Sequence, residues 1–156
     1  MGGEIIRDPG EANRYLSIRT VIALASACDA LEDVMAMHFA RFGLSRAKFE
    51  ALIQLRMAGD GGLTQSDLGK KMMVSRANIT GLIERMEREG LVTRKSDPSD
   101  KRAFRVLLTD RSAVLMEAFL PVHGDYVHRT MSGLSAEEKE TLISLLEKLK
   151  KGLESL

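Results

Sequence analysis

The sequence predicts a mainly α-helical protein with one small β-hairpin. Over most of the 156 residues the apolar side chains recur at spacings of three and four, as on one face of an α-helix. Aromatic residues make up only 4% of the chain, so aliphatic side chains and nine methionines must supply the core. The segment KSDPSDKRAFRVLLTD, residues 95–110, instead combines a polar Asp97-Pro98 turn with alternating apolar residues, which is typical of a hairpin.

The N-terminal half is predicted to begin with one long helix and two short ones. The long helix covers residues 11–42, which contain no Gly or Pro. Ser45 is expected to cap a second helix over about residues 46–57. Thr64 is followed three residues later by Asp67, and this spacing predicts the start of a third helix.

The segment after the third helix is predicted to form a fourth helix and then the hairpin. Ser75 is expected to cap this helix, and Gly90 lies where a helix ends in a left-handed residue. The apolar face is predicted to consist of Ile79, Leu82, Ile83 and Met86. Two short strands follow at 91–96 and 103–109, and one face of this two-stranded ribbon must pack on the helices.

The C-terminal part is predicted to be helical. Residues 110–131 form a helix that we expect to be interrupted near Pro121 and Gly124. Ser135 and Glu138 have the spacing of a capping box and open the last helix. That helix carries a leucine stripe, formed by Leu142, Leu145, Leu146, Leu149, Leu153 and Leu156.

The positive charge of the chain is concentrated in one segment. The net charge is only +1, but residues 64–109 hold ten basic and six acidic residues, a local net charge of +4. A local excess of this kind determines the field that a phosphate backbone meets. The segment coincides with the short helices and the hairpin, so it indicates a nucleic-acid-binding region.

Other function classes find little support in the sequence. We expect a cytoplasmic protein without membrane contact, because signal-peptide and membrane-spanning patterns are absent and the single cysteine, Cys28, permits no internal disulfide. We expect no enzyme activity and no cofactor, because there is no Gly-rich phosphate loop or nucleophile elbow. A metal site at His38, His123 and His128 is disfavoured because the last two lie five residues apart.

Two short helices followed by a hairpin predict a winged helix-turn-helix, with its second helix in the DNA major groove. The outward face at the start of that helix offers Arg76, Asn78 and Thr80, and Arg and Asn are the side chains that pair with guanine and adenine. We expect Thr64, Gln65 and Ser75 to contact phosphates.

The hairpin tip is expected to reach the neighbouring minor groove. Arg102 is predicted to insert there, with Lys95 and Lys101 on phosphates and Asp100 orienting the Arg102 guanidinium. The alternative is that Asp100 and Arg102 only hold the turn together. The hairpin tip, the recognition helix and the positive charge lie in the same segment. This favours two roles for Asp100 and Arg102, contact with DNA and stabilisation of the turn.

The stretch LTQSDLGKKM, the GLV that follows the recognition helix, and the wing signature of Asp100, Arg102, Val106, Leu108 and Thr109 resemble the multiple-antibiotic-resistance regulator (MarR) family. The likeness extends over about residues 11–156. The resemblance implies a homodimeric transcriptional regulator, a repressor of a pseudo-palindromic operator, released by a small-molecule effector of phenolic type. Gly81 departs from the family, which often has a bulkier polar or basic residue there.

The resemblance also implies a division of the chain into two functional regions. Residues 45–109 would form the winged helix-turn-helix, and residues 11–42 and 111–156 a helical dimerisation region built from the N- and C-terminal helices. The dimer contacts would come from Tyr15, Leu16, Leu142, Leu145, Leu146, Leu149 and Leu153.

Two alternative functions remain open at this stage. A winged helix can be a protein-interaction scaffold, but its recognition helix should then present apolar or acidic residues rather than Arg76 and Asn78. Cys28 could make the chain a thiol-based redox-sensing regulator. An inert buried cysteine is favoured, because Cys28 lies among Ala25, Ala27 and Leu31.

Overall fold

The computed structural model describes residues 9–97 and 103–155. Helices make up most of these ranges, together with three short strands, and the described residues divide into two compact units between residues 112 and 113. The elements, in chain order, are α1 (Pro9–Ala40), α2 (Arg46–Ala58), β1 (Leu63–Thr64), α3 (Gln65–Met72), α4 (Arg76–Arg88), β2 (Val92–Ser96), β3 (Phe104–Leu108), α5 (Asp110–Thr130) and α6 (Ala136–Leu153). A short 3-10 turn at Gly59–Gly61 connects α2 to β1.

The helix starts in the first unit follow the predicted caps. The hydroxyl oxygens of Ser45, Thr64 and Ser75 each accept a hydrogen bond from the backbone N–H three residues later. Each cap satisfies an N–H group that has no partner inside the helix. Gly90 ends α4 with a φ of 70°, a left-handed backbone that glycine adopts without a steric penalty.

The sheet has three strands rather than the two predicted. The order is β1-β3-β2, and both pairs are antiparallel. β1 pairs Leu63 with Val106 and Thr64 with Arg105. The two-residue strand β1 therefore connects the wing directly to the residue that caps α3.

The core of the first unit lies between α2, α3, α4 and the sheet. The predicted apolar face of α4 is confirmed, since all four of its side chains are buried. The most deeply buried side chains of this core, each at most 2% exposed, are Ala51, Leu52, Leu55, Leu68, Ile79, Ile83, Met86, Val92 and Val106. This packing fixes α4 on α2 and the sheet, and leaves the other face of α4 exposed.

The second unit begins inside α5 and continues into α6. The expected interruption of α5 is wrong, because the helix runs through Pro121 and Gly124 to Thr130. A proline removes one backbone N–H donor, and in a helix of 21 residues the bonds on either side maintain the helical path. The predicted capping box of Ser135 and Glu138 opens α6. No residue of α6 that the structure describes is buried.

None of the helices in the described part of the chain has the length and apolar character needed to cross a bilayer. Within the same ranges there is also no cluster of three or more His, Cys, Asp or Glu side chains that could hold a metal ion. Cys28, which we expected to be buried, is exposed on α1. It lies in a helix of which most residues are exposed, so the apolar neighbours in the sequence do not enclose it.

Candidate nucleic-acid interface

The start of α4 presents polar side chains to solvent. Burial of its apolar face turns Arg76 and Asn78 outward, and both are exposed. The Ser75 hydroxyl accepts from the Asn78 backbone N–H at 3.3 Å, which leaves the Asn78 amide group free of the capping interaction. A guanidinium and a carboxamide thus project from the first turn of the helix, where base edges would be met.

Two of the predicted side chains bind each other across the helix-turn-helix. The Gln65 side-chain amide donates to the Thr80 hydroxyl, which in turn donates to the Arg76 carbonyl at 2.8 Å. The Thr80 hydroxyl is therefore engaged as both acceptor and donor. Gln65 and Thr80 link the start of α3 to α4, and the Thr80 methyl group is the part left for contact with a base.

The other predicted phosphate contact on α3 is tied to its cap. The Thr64 hydroxyl accepts from the Asp67 N–H at 3.1 Å and donates to the Asp67 carboxylate at 2.7 Å. Asp67 also lies 4.0 Å from the Lys70 ammonium group. The carboxylate reduces the attraction of this helix start for an anion, so a phosphate placed here would be held mainly by backbone N–H groups and Lys70.

The wing separates its cations onto two faces. Arg94 lines a cavity of about 620 Å³ together with residues from the starts of α3 and α4. Its neighbour Lys95 lies on the opposite face, in a depression of about 430 Å³ that Asp97 and Arg105 also line. The remaining predicted wing residues, Asp100, Lys101 and Arg102, lie outside the described residues.

Arg94 is a cation that the sequence pattern does not single out. Its Nε lies 3.5 Å from the Glu87 carboxylate, and its Nη2 is buried without a hydrogen bond among the described residues. The cavity beside it combines polar and apolar groups and is lined by Gln65, Ser66, Gly69, Lys70, Met73, Val74, Arg76, Ile79, Arg94, Phe104 and Val106. This space opens between α3, α4 and the sheet.

Gly81 and Arg85 form a second feature that the sequence does not reveal. A Cβ atom at Gly81 would lie 3.4 Å from the Arg85 Nη1, so the guanidinium lies over the glycine. Arg85 follows Asn78 by seven residues and therefore shares its side of α4. The spacing of seven residues between Asn78 and Arg85 can be seen in the sequence. The position of the Arg85 guanidinium over Gly81 depends on the side-chain conformation in the folded protein.

The helices outside the helix-turn-helix expose apolar side chains. On α1, Tyr15 is 54% and Leu16 57% exposed. On α6 the five described leucines of the stripe are between 38% and 59% exposed. Faces of this kind are costly to leave in water and are typical of surfaces that another protein chain covers.

Comparison with known proteins identifies the family. The MarR family model matches residues 44–104. The repressor YetL of Bacillus subtilis is 34% identical over 130 residues, which span 83% of this chain and 78% of YetL.

Two solved DNA complexes share the fold. A MarR family regulator from Streptomyces coelicolor, Sco3205, superposes with a TM-score of 0.77 at 26% identity, over 91% of this chain and 88% of that one. The MepR–DNA complex of S. aureus gives a TM-score of 0.73 at 25% identity, over 87% and 97% of the respective chains. The chain therefore belongs to the MarR family, and it is a winged-helix, DNA-binding transcriptional regulator.

Proposed function

We propose that the chain acts as a homodimeric repressor that binds a pseudo-palindromic operator and leaves it when a small molecule binds. The observation that carries this proposal is the outward pair at the start of α4, Arg76 and Asn78, held above a fully buried face of the same helix. Similarity to YetL, a transcriptional repressor, supports the sign of regulation.

In this proposal the recognition helix reads bases and its surroundings position it. Arg76 pairs with a guanine and Asn78 with an adenine, while the Thr80 methyl group contacts a base edge. Thr64, Gln65, Ser75 and Lys95 act on the phosphate backbone, the first three through the helix starts. The roles assigned to Asp100, Lys101 and Arg102 at the wing tip remain those that the sequence predicts.

The exposed apolar faces support the dimer. Tyr15 and Leu16 on α1 and the leucine stripe on α6 would each be covered by a second copy of the chain. Residues 11–42 and 111–156 would then serve dimerisation and residues 45–109 DNA binding. A dimer presents two segments of charge +4 to one duplex, with half-sites about 10 bp apart.

The cavity beside Arg94 supports a small effector with an acidic or phenolic group. Arg76 and Arg94 supply positive charge, and Met73, Ile79 and Phe104 supply apolar contact. A phenolate or aromatic carboxylate would satisfy the buried Arg94 Nη2 and place its ring against the apolar side chains. Because Arg76 would be shared between effector and DNA, binding of one would oppose binding of the other.

A fluorescence-anisotropy titration tests the proposal directly. The protein is titrated onto duplex DNA from upstream of its own gene, and onto random duplex, at several salt concentrations. We expect tight binding of one dimer per site, with an affinity that falls steeply with salt.

Affinity no greater than for random DNA would call for selection from a random duplex pool, and failure to enrich any sequence would refute operator recognition. Addition of phenols and aromatic acids to the bound complex then tests the effector. We expect release to weaken when Arg94 is replaced by Gln. Equal release from the Arg94→Gln variant would remove this cavity from the mechanism.

A further inference from the structure

Arg105, in the central strand of the sheet, makes three hydrogen bonds that leave its own strand. Its Nε donates to the Asp97 carboxylate at 2.6 Å. Its Nη1 donates to the backbone carbonyls of Gly61 and Gly62 at 3.1 and 3.4 Å. Nothing in the sequence pattern assigns these contacts, because the partners lie 8, 44 and 43 residues away.

These contacts connect the wing to the start of α3. Asp97 follows β2, and its N–H donates to the Ala103 carbonyl at 2.9 Å, the last described bond between the two sides of the wing. Gly61 and Gly62 lie immediately before β1, whose second residue, Thr64, caps α3. Arg105 therefore joins Asp97, at the end of β2, to the turn of Gly61 and Gly62 that precedes β1 and the helix-turn-helix.

The turn at Gly62 packs closely on the sheet. Gly62 has a φ of 58°, and a Cβ atom at this position would overlap the backbone carbonyl of Val106. The backbone of the turn is thus packed directly on β3, the strand that carries Arg105. A displacement of the wing base would have to break these close contacts together with the Arg105 hydrogen bonds.

These hydrogen bonds, which we call the Arg105 link, require an arginine rather than a lysine because of the Asp97 carboxylate. Asp97 is only 5% exposed, and a carboxylate removed from water to this extent needs a charged, hydrogen-bonding partner. A guanidinium can donate to the carboxylate from one edge and to the two carbonyls from another nitrogen. A lysine ammonium group has neither that planar geometry nor that reach, so it retains the charge but not the link.

We propose that Arg105 is a positioning residue for DNA binding, which sets the direction of the wing relative to α3 and α4 through Asp97 and the Gly61 and Gly62 carbonyls. It does so without touching the duplex. With the link intact, Lys95 on β2 meets a phosphate while α4 lies in the major groove. This proposal rests on the proposed operator recognition and adds a residue to it.

The test compares Arg105→Lys and Asp97→Asn with the wild-type protein on a duplex selected from a random pool. Arg105→Lys keeps the positive charge, and Asp97→Asn removes a negative charge that would repel DNA. We expect both variants nonetheless to bind about tenfold more weakly, with a salt slope smaller by about one because a phosphate contact is lost. Measurements are made well below the unfolding midpoint of each variant, determined by circular dichroism.

Second substitutions separate positioning from a purely structural role. In the Arg105→Lys background, Lys95→Ala should cost little further affinity, whereas Arg76→Ala should cost the same factor as in the wild type. Wild-type affinity in Arg105→Lys would overturn the proposal, as would undiminished affinity in Asp97→Asn. A full Lys95→Ala effect in the Arg105→Lys background would do the same. If the wild-type protein itself selects no sequence, the proposed function fails rather than this link.

Discussion

Met73, in the turn between α3 and α4, is the one described residue other than glycine with a positive φ. It has φ 54° and ψ 37°, and its side chain is 90% exposed. The left-handed conformation costs a non-glycine residue about 1–2 kcal/mol, while glycine loses about 0.5–1 kcal/mol through the entropy of its unfolded state. The exposed side chain contributes little burial that would offset the difference.

We therefore expect Met73→Gly to stabilise the protein by about 0.5–1 kcal/mol, which corresponds to a rise of about 2 °C in the unfolding midpoint. Thermal unfolding followed by circular dichroism measures it. Met57→Gly is the matched control, since Met57 is also exposed but lies in α2, where glycine should destabilise. A lower midpoint for Met73→Gly would contradict the strain assigned to this turn.

In the proposed function, recognition of the operator sequence depends most directly on Arg76. Arg76→Ala should lower the affinity for the selected operator by about 1–3 kcal/mol and relax the preference at one base pair of each half-site. Lys70→Ala, in α3, should instead weaken binding to all duplexes by a similar factor. Competition with single-base operator variants distinguishes the two, and unchanged preference in Arg76→Ala would refute its base-reading role.

At the scale of elements, an ion pair fixes α4 on α2. The Lys48 ammonium group lies 2.7 Å from the Glu89 carboxylate at the end of α4, and it also donates to the Gly43 carbonyl at 3.3 Å. The Lys48 side chain is 16% exposed and that of Glu89 41%, so the pair is shielded from water mainly on the lysine side. The contact joins the α1–α2 turn, α2 and the C-terminal end of the recognition helix.

Lys48→Met should therefore destabilise the protein by about 0.5–1 kcal/mol, because it removes the ion pair to Glu89 and the hydrogen bond to the Gly43 carbonyl. The exchanged pair, Lys48→Glu with Glu89→Lys, should recover part of the loss, whereas Lys48→Glu alone should be the least stable. Urea unfolding of the wild type, Lys48→Glu, Glu89→Lys and the exchanged pair gives the coupling free energy. Additive effects within error would show that the pair contributes nothing to the position of α4.

His123 in α5 should make stability depend on pH. Its ring stacks on that of Phe119, with centroids 5.0 Å apart, and burial lowers the pKa of His123 below its ordinary value. The unfolded chain then binds a proton more readily than the folded one, so stability falls as the pH drops below about 6.5.

His123→Phe retains an aromatic ring at this position and removes the titration. We expect its unfolding midpoint to fall less than that of the wild type between pH 7.5 and pH 5.5. An identical pH profile in His123→Phe and the wild type would disprove the role of this ring.

For the whole molecule, the leucine stripe of α6 is the surface expected to determine the oligomeric state. Leu149 is 43% exposed in the single chain, and a second copy would bury it. Leu149→Glu should dissociate the proposed dimer, measured by analytical ultracentrifugation. It should also reduce operator affinity by at least tenfold, because a monomer occupies only one half-site. Met57→Glu, at an exposed position on α2, should leave the oligomeric mass in solution equal to that of the wild type. A dimeric Leu149→Glu protein would move the interface elsewhere.

The elements that depend on local chemistry could be predicted from the sequence. The caps at Ser45, Thr64, Ser75 and Ser135 form as predicted, because a hydroxyl three residues before an N–H needs no distant partner. The buried face of α4 followed from its spacing alone. The charge of residues 64–109 indicated nucleic-acid binding, and the wing signature indicated the family.

Features that depend on contacts between residues distant in sequence could not be predicted in this way. β1 is two residues long, too short for any periodic pattern, and exists only because β3 offers it hydrogen-bonding partners. Pro121 stays within α5, where the sequence predicted an interruption. The hydrogen bonds from Gln65 to Thr80 and from Arg105 to Asp97 form because the packed core brings separate segments within hydrogen-bonding distance. The spacing of these residues along the chain does not indicate that they are close in space.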